Sequence, residues 1–190
     1  VLEAWKKKQT DTSGKPLLVL INTSGGGHRS ATFTMGVLQQ LDSITNGEIM
    51  KKTFLINGAS GGMIGAAYFR ELYLRKLNGE NIRLQNKDYI SDISGDLLNP
   101  LFTSFFARDL IAPAQKFSVG PYRYVKDRGY SFEQKLSENT RGFLDKQLKD
   151  YVADEKKSRI PLMFFNSVIT RDSRKMIIST QPVRFMMRGI

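Results

Sequence analysis

Residues 53–62 have the sequence TFLINGASGG, a short apolar run that leads into a glycine-rich turn with a serine at its centre. The run predicts a buried strand over 53–57, because it is too short for a helix and its residues favour strands. From Met63 to Leu77 the chain is apolar almost all round, which predicts a buried helix. Glu71 and Arg75 have the i,i+4 spacing of an ion pair on that helix. The segment is therefore predicted to form a strand, a tight turn and a helix.

The same order of elements occurs earlier in the chain. Residues 17–21 (LLVLI) predict a strand, 23–29 (TSGGGHR) a glycine loop and 30–41 a helix. The apolar residues of this helix recur at helical spacing and are Phe33, Val37, Leu38 and Leu41. Near the end of the chain, 161–170 and 175–180 predict two strands joined by a hairpin turn. Alternating strands and helices predict one α/β domain.

The middle of the chain is less regular. The Phe-rich segment 97–111 is expected to belong to the core rather than to an acyl-chain channel, because aromatic stripes are usually core. Residues 120–129 (GPYRYVKDRG) predict a basic aromatic loop. A helix is expected to begin at Ser131, with Gln134 at the capping-box position, and helical segments to continue to about Glu155.

Composition excludes several classes of site. The chain has 190 residues, 41% of them hydrophobic and 25% charged, an ordinary globular balance for a single domain. It has no cysteine, which rules out disulfides, thiolate zinc sites and a cysteine nucleophile. A Ser-His-Asp triad or a His-rich metal site would have to depend on its single histidine, His28. No run of 18 apolar residues occurs, so no transmembrane helix is predicted.

The two glycine turns carry the chemistry. Residues 58–62 match G-x-S-x-G, in which small residues let a serine occupy a strained strand-to-helix turn with its Oγ exposed. The backbone N–H groups of Gly25, Gly26 and Gly27 precede a helix and can converge on an anion. That anion is either the oxyanion of an acyl-transfer intermediate or a phosphate. A Walker loop is excluded because its motif is absent. The two turns together favour acyl transfer.

The motif SGGGHR at 24–29, followed by GASGG at 58–62, resembles the patatin-like phospholipases. The resemblance implies a three-layer α/β/α domain that cleaves lipid acyl esters with a Ser-Asp dyad and no histidine. It implies that Ser60 is the nucleophile, that Gly25, Gly26 and Gly27 bind the oxyanion, and that Arg29 is a stabilising cation beside them. It requires no metal and no organic cofactor.

One part of the family pattern is missing. The dyad aspartate of that family lies in an Asp-Gly-Gly or Asp-Gly-Ala turn, and no Asp-Gly occurs in this sequence. Asp96 and Asp172 are alternatives, but neither has the motif around it. We therefore expect the aspartate to lie beyond Ile190. On this interpretation residues 1–190 are the N-terminal portion of one acyl hydrolase domain, truncated on its C-terminal side and catalytically incomplete.

Two other functions stay open. The sequence GGGHRSA at 25–31 is similar to a loop of lipid-galactosylating glycosyltransferases, which would bind a nucleotide sugar but would not explain the G-x-S-x-G turn. A noncatalytic scaffold domain of the same fold is the other alternative. His28 is expected to be a solvent-contacting loop residue rather than a base.

Charge limits the partners. The 29 basic and 18 acidic residues leave a net charge of +11, which suits an anionic membrane surface. Nucleic acid is not expected, because no known nucleic-acid-binding pattern occurs. The expected location is the cytoplasm or a membrane periphery. The sequence leaves the oligomeric state open.

Overall fold

A computed structural model of the chain describes residues 1–9, 14–107 and 115–186. The helices are α1 (Leu2–Lys7), α2 (Gly27–Ile44), α3 (Ile49–Lys52), α4 (Ser60–Leu77), α5 (Asp88–Ile93), α6 (Leu98–Ser104), α7 (Arg128–Asn139) and α8 (Val152–Lys156). The strands are β1 (Val19–Thr23), β2 (Thr53–Gly58), β3 (Lys116–Val119), β4 (Tyr122–Val125), β5 (Leu162–Val168) and β6 (Lys175–Ile178). Short 3₁₀ turns occur at Leu148–Tyr151 and Arg184–Met186.

The main sheet has the strand order β1, β2, β5, β6. The first three strands are parallel, and β6 runs antiparallel to β5. Because Thr23 pairs with Gly58 and Gly58 pairs with Phe165, the carboxyl ends of the parallel strands meet at one edge. This mainly parallel sheet flanked by helices confirms the predicted α/β class and is consistent with a three-layer α/β/α fold.

Helix α4 packs against the sheet and against α2, and glycines make the contact between the two helices possible. A Cβ on Gly61 would lie 1.7 Å from the carbonyl oxygen of Gly27. A Cβ on Gly65 would lie 2.2 Å from the carbonyl oxygen of Ala31. The two backbones therefore touch directly, without intervening side chains.

Helix α4 is the centre of the core and carries two buried charges. Arg70 forms an ion pair with Glu155 and donates a hydrogen bond of 2.9 Å to the carbonyl oxygen of Pro161. Glu71 accepts from Arg75, as the i,i+4 spacing predicted, and from the hydroxyl of Tyr151 at 2.8 Å. Both charges are almost inaccessible to solvent. These contacts hold the segment that leads into β5 against α4.

The buried face of α2 differs from the predicted one. Leu38 is buried as expected, but Phe33 is 72% exposed and Val37 is also exposed. Ala31 and Met35 are buried instead. The close contact with α4 explains the difference, since the face that meets a glycine-lined neighbour must carry small or flexible residues.

Two predictions for the middle of the chain are wrong in detail. Residues 120–129 do not form a loop, because β3 and β4 pair as an antiparallel hairpin over Lys116–Val125. Helix α7 begins at Arg128 rather than Ser131, and the side chain of Asp127 caps it by accepting from the backbone N–H of Tyr130 at 3.0 Å.

The Phe-rich segment is only partly core. Leu97 and Ser104 are buried, whereas Leu98, Phe102 and Phe106 are each about 60% exposed. The end of this segment, 108–111, lies outside the described residues. In the described ranges, no helix has both the length and the apolar character needed to span a membrane.

The substitution Gly65→Ala tests the glycine contact. We expect it to lower the free energy of unfolding by about 1–3 kcal/mol, because the new methyl group would collide with the backbone of α2. Gly36→Ala is the matched control, since a Cβ there would lie 3.8 Å from the Ile90 side chain, an ordinary contact. We expect the control to raise stability by about 0.5–1 kcal/mol, the helix-propensity gain. Urea denaturation measures both changes, and equal effects would contradict the contact.

Candidate active site

Ser60 lies where β2 passes into α4, in the strand-turn-helix context that the sequence predicts. Ala59 is extended, with φ −144° and ψ 159°, and Ser60 is the first residue of the helix. Its φ is +56°, a left-handed conformation that costs a non-glycine residue roughly 1–3 kcal/mol. The side chain is exposed. A serine is thus held in strain at the surface, at the carboxyl edge of the sheet.

The glycine loop reaches the same point from the neighbouring strand. Gly26 has φ +145° and Gly27 has φ +59°, both conformations that L side chains rarely adopt. A Cβ on Gly25 would lie 3.5 Å from the Cβ of Ser60 and 4.0 Å from its Oγ. The predicted loop and the predicted nucleophile, 33 or more residues apart in sequence, are therefore neighbours.

Short contacts fix the loop against the turn. The Ser30 hydroxyl donates a hydrogen bond of 2.7 Å to the carbonyl oxygen of Ser24. That carbonyl oxygen would lie 2.4 Å from a Cβ on Gly62. The loop is thus anchored both to its own helix and to α4, which keeps its N–H groups in a set arrangement.

The electrostatic field at this point is positive. Helices α2 and α4 both begin here, and neither has an acidic residue in its first turn nor a side chain that caps its N-terminus. Their first N–H groups and aligned peptide dipoles therefore favour an anion. Arg29 adds a full charge beside them. Its side chain is exposed and forms neither a hydrogen bond nor an ion pair with the described residues.

His28 is used structurally. Its Nε2 lies 2.8 Å from the carbonyl oxygen of Ile93, at the end of α5. The ring is partly buried, in contrast to the predicted loop residue in solvent contact. It ties the start of α2 to α5.

Both aspartates considered as bases have local partners. Asp96 accepts from the backbone N–H groups of Leu98 and Asn99, which lower its pKa below the usual range. Asp172 lies in the turn between β5 and β6, where Arg174 lowers its pKa. Within the described ranges, the Ser60 hydroxyl forms no hydrogen bond to a carboxylate or an imidazole.

A row of asparagines crosses the three parallel strands beneath the site. Asn57 donates a hydrogen bond of 2.9 Å to Asn22, and Asn166 donates one of 2.8 Å to Asn57. Asn166 also donates to the carbonyl oxygen of Gly58 at 3.2 Å, two residues before Ser60. Strand pairing aligns Asn22 with Asn57, and Asn166 lies two residues beyond Phe164, the partner of Asn57 in β5. Sequence analysis missed this row, because only the pairing of the strands brings these residues together.

Two cavities of similar size lie elsewhere. One of about 660 Å³ is lined by Lys8, Pro16, Lys52 and Tyr73, near the amino ends of the strands. Another of about 680 Å³ lies between α6 and α7, lined by Asn99, Thr103, Lys135 and Asn139. Ser60 lines neither. Among the described residues no cluster of His, Asp and Glu is suited to hold a metal ion.

Comparison with known proteins yields one structural likeness. It is to human GIVD cytosolic phospholipase A2, solved in complex with the inhibitor methyl γ-linolenyl fluorophosphonate and terbium chloride. The TM-score is 0.47 and the sequence identity is 16%. The match covers 94% of this chain and 26% of that one, so this chain spans about a quarter of that protein's length. The sequence matches no protein-family model, and a search of curated protein sequences finds no relative.

Substitutions at Ser60 test the backbone strain. Ser60→Gly and Ser60→Ala both remove the hydroxyl, but only glycine tolerates a φ of +56° without cost. We expect the glycine variant to be more stable than the alanine variant by about 1 kcal/mol. At Ser137, inside α7, we expect the opposite order, because glycine is the poorer helix former. Thermal and urea unfolding measure the stability of both pairs of variants. The same order of stability at both positions would contradict the backbone strain at Ser60.

Proposed function

We propose that this chain is the nucleophile-bearing part of a serine acyl hydrolase that cleaves lipid acyl esters, of the patatin-like phospholipase type. One observation carries the proposal: a strained, exposed Ser60 lies against a glycine loop at the start of a second helix. A serine held this way is presented to an incoming carbonyl, and fixed N–H donors beside it suit the charge that develops there.

In the proposed first step, the Ser60 Oγ attacks the acyl carbonyl carbon and forms a C–O bond. The Oγ proton passes to a general base, and the carbonyl oxygen becomes an oxyanion. The N–H groups of the Gly25–Gly27 loop and the charge of Arg29 would stabilise that oxyanion. The alcohol then leaves with a proton, and water attacks the acyl-enzyme to release the fatty acid and restore the serine.

The general base is proposed to be an aspartate from polypeptide beyond Ile190. Asp96 and Asp172, the two aspartates considered from the sequence, are each engaged in local hydrogen bonds. His28 is bonded to the carbonyl oxygen of Ile93. The proposal therefore leaves Ser60 in place and assigns proton transfer to a residue that a longer polypeptide would supply.

A fluorophosphonate probe tests the nucleophile. Such probes phosphonylate an activated serine, so labelling does not depend on the choice of ester substrate. We expect the polypeptide containing these 190 residues to be labelled on the peptide that carries Ser60, as read by mass spectrometry. The substitution Ser60→Ala should abolish labelling, together with hydrolysis of a panel of fluorogenic esters and phospholipids.

Ser94→Ala is the matched control for the Ser60 test. Its hydroxyl is exposed and bonded only to the carbonyl oxygen of Ser91. We expect this variant to keep full labelling and activity. If the Ser60→Ala variant is still labelled, Ser60 is not the nucleophile. No labelling and no hydrolysis by a folded polypeptide with its C-terminal continuation present would favour the glycosyltransferase or the scaffold.

Arg29 tests the oxyanion contribution separately. We expect Arg29→Ala to lower kcat/KM by about tenfold or more, the loss of roughly 1.4 kcal/mol or more of transition-state stabilisation. Since this side chain has no partner in the described structure, the free energy of unfolding should change by less than about 0.5 kcal/mol. Steady-state kinetics and urea unfolding make the comparison. Unchanged kinetics would assign Arg29 to a solvated surface.

A further inference from the structure

An exposed apolar stripe runs along α6 and its continuation. Leu98, Phe102 and Phe106 recur at i, i+4 and i+8, which places them on one side of a helix. Each is about 60% exposed. The whole segment 98–107 contains no charged residue. Such a stripe on the outside of a folded chain marks a contact surface.

The β3–β4 hairpin is an amphipathic ribbon next to this stripe. Its strand register places four residues on one face, and they are Phe117, Val119, Tyr122 and Tyr124. The opposite face carries Lys116, Ser118, Arg123 and Val125. Tyr122 is 66% exposed at the tip, beside the turn at Gly120. The hairpin pairs with no third strand in the described structure, and a lone two-stranded ribbon is only marginally stable in water.

The first turn of α7 joins the stripe and the hairpin into one surface. The guanidinium of Arg128 lies 5.4 Å from the ring of Phe105, beside the stripe. Together with Leu98, Leu101 and Phe102 they line a groove of about 350 Å³. The ring of Tyr130 lies 4.7 Å from that of Phe117 in the hairpin. We call this joined region, the stripe plus the hairpin, the aromatic-basic surface.

Basic residues outnumber acidic residues on this surface. Between 115 and 128 the basic residues are Lys116, Arg123, Lys126 and Arg128, and the only acidic residue is Asp127. The carboxylate of Asp127 is already engaged as the cap of α7. Asp96, at the start of α6, is engaged in the same way by backbone N–H groups. An anionic partner therefore meets these cations, and the carboxylates of Asp96 and Asp127 are already hydrogen-bonded.

We infer that the aromatic-basic surface docks on an anionic lipid bilayer. Leucine and phenylalanine gain from entering the acyl boundary, tyrosine favours the interface, and lysine and arginine reach the phosphates with their long side chains. A bilayer offers a favourable environment to the apolar, the tyrosine and the basic side chains together, whereas an oligonucleotide would leave the apolar stripe without a partner. Each basic residue near such a surface contributes about 1 kcal/mol.

The start of the stripe, at Leu98, also lies near the candidate site. His28, beside the glycine loop, contacts the carbonyl oxygen of Ile93, and the stripe begins only five residues later at Leu98. Five residues span roughly 17 Å at most. Docking would thus bring lipid close to Ser60. This last step rests on the proposed function, whereas the docking itself does not.

Vesicle binding tests the inference, with Ser60→Ala used as the parent so that hydrolysis does not consume the lipid. We expect the protein to sediment with vesicles of phosphatidylcholine mixed with phosphatidylserine, more weakly with phosphatidylcholine alone, and less at high salt. Lys116→Gln with Arg123→Gln should lower the partition coefficient about 30-fold on the mixed vesicles. Phe102→Ser with Tyr122→Ser should lower it on both kinds of vesicle.

Lys156→Gln with Lys157→Gln is the control, since it removes the same charge from exposed positions just before β5, at the amino ends of the strands. Its binding should stay as in the parent. An equal loss in the control would show that net charge alone drives binding and would overturn the surface. Circular dichroism checks that every variant is folded.

Three further outcomes would also overturn the inference. One is binding that the aromatic substitutions leave unchanged. Another is that the protein binds single-stranded RNA tightly, that the basic substitutions abolish this binding, and that the protein does not bind vesicles. The third is self-association in analytical ultracentrifugation that Phe102→Ser removes, which would assign the stripe to a second copy. Because Ser60→Ala is the parent, loss of vesicle binding is distinguishable from failure of the proposed hydrolase.

Discussion

The contact between the backbones of α2 and α4 is the constraint on which the candidate site depends. Gly61 and Gly65 leave no side chain between the helices, so the N-termini lie side by side at the edge of the sheet. Two helix N-termini placed together bring like partial charges close, which is unfavourable in itself. Packing in the core offsets that cost. The result is a positive electrostatic field beside Ser60.

Buried charge on α4 determines where the second half of the chain attaches. Arg70 and Glu71 are adjacent in sequence and both lose contact with water, so each needs ionic or hydrogen-bonding partners. Glu71 pairs with Arg75 on α4 itself. The other partners come from beyond residue 140: Glu155 for Arg70, and Lys146 and the hydroxyl of Tyr151 for Glu71. Burial and the neighbouring Glu71 raise the pKa of Tyr151, which keeps its hydroxyl a donor. These contacts hold the connection that leads into β5, the strand that pairs with β2.

A chain of contacts connects the candidate site with the aromatic-basic surface. His28 ties the glycine loop to α5. On α5, Asp92 accepts from the hydroxyl of Tyr68 at 2.8 Å and pairs with Arg141 at 2.8 Å, which holds α5 between α4 and the end of α7. The start of α7 then packs Tyr130 against the hairpin. These contacts form a continuous path of packed residues from the hairpin to the loop beside Ser60.

The sequence by itself determined the local units, because strand, glycine turn and helix follow from period and composition within 53–62 and its counterpart at 17–29. The α/β class followed from their alternation. Tertiary structure decided what those local patterns leave open. The buried face of α2 contains Ala31 rather than Phe33, because the glycines of α4 leave room only for a small neighbour. The hairpin at Lys116–Val125 needed strand pairing that a basic aromatic composition does not reveal. The asparagine row and the approach of Gly25 to Ser60 exist only because parallel strands distant in sequence share one register and end at one edge.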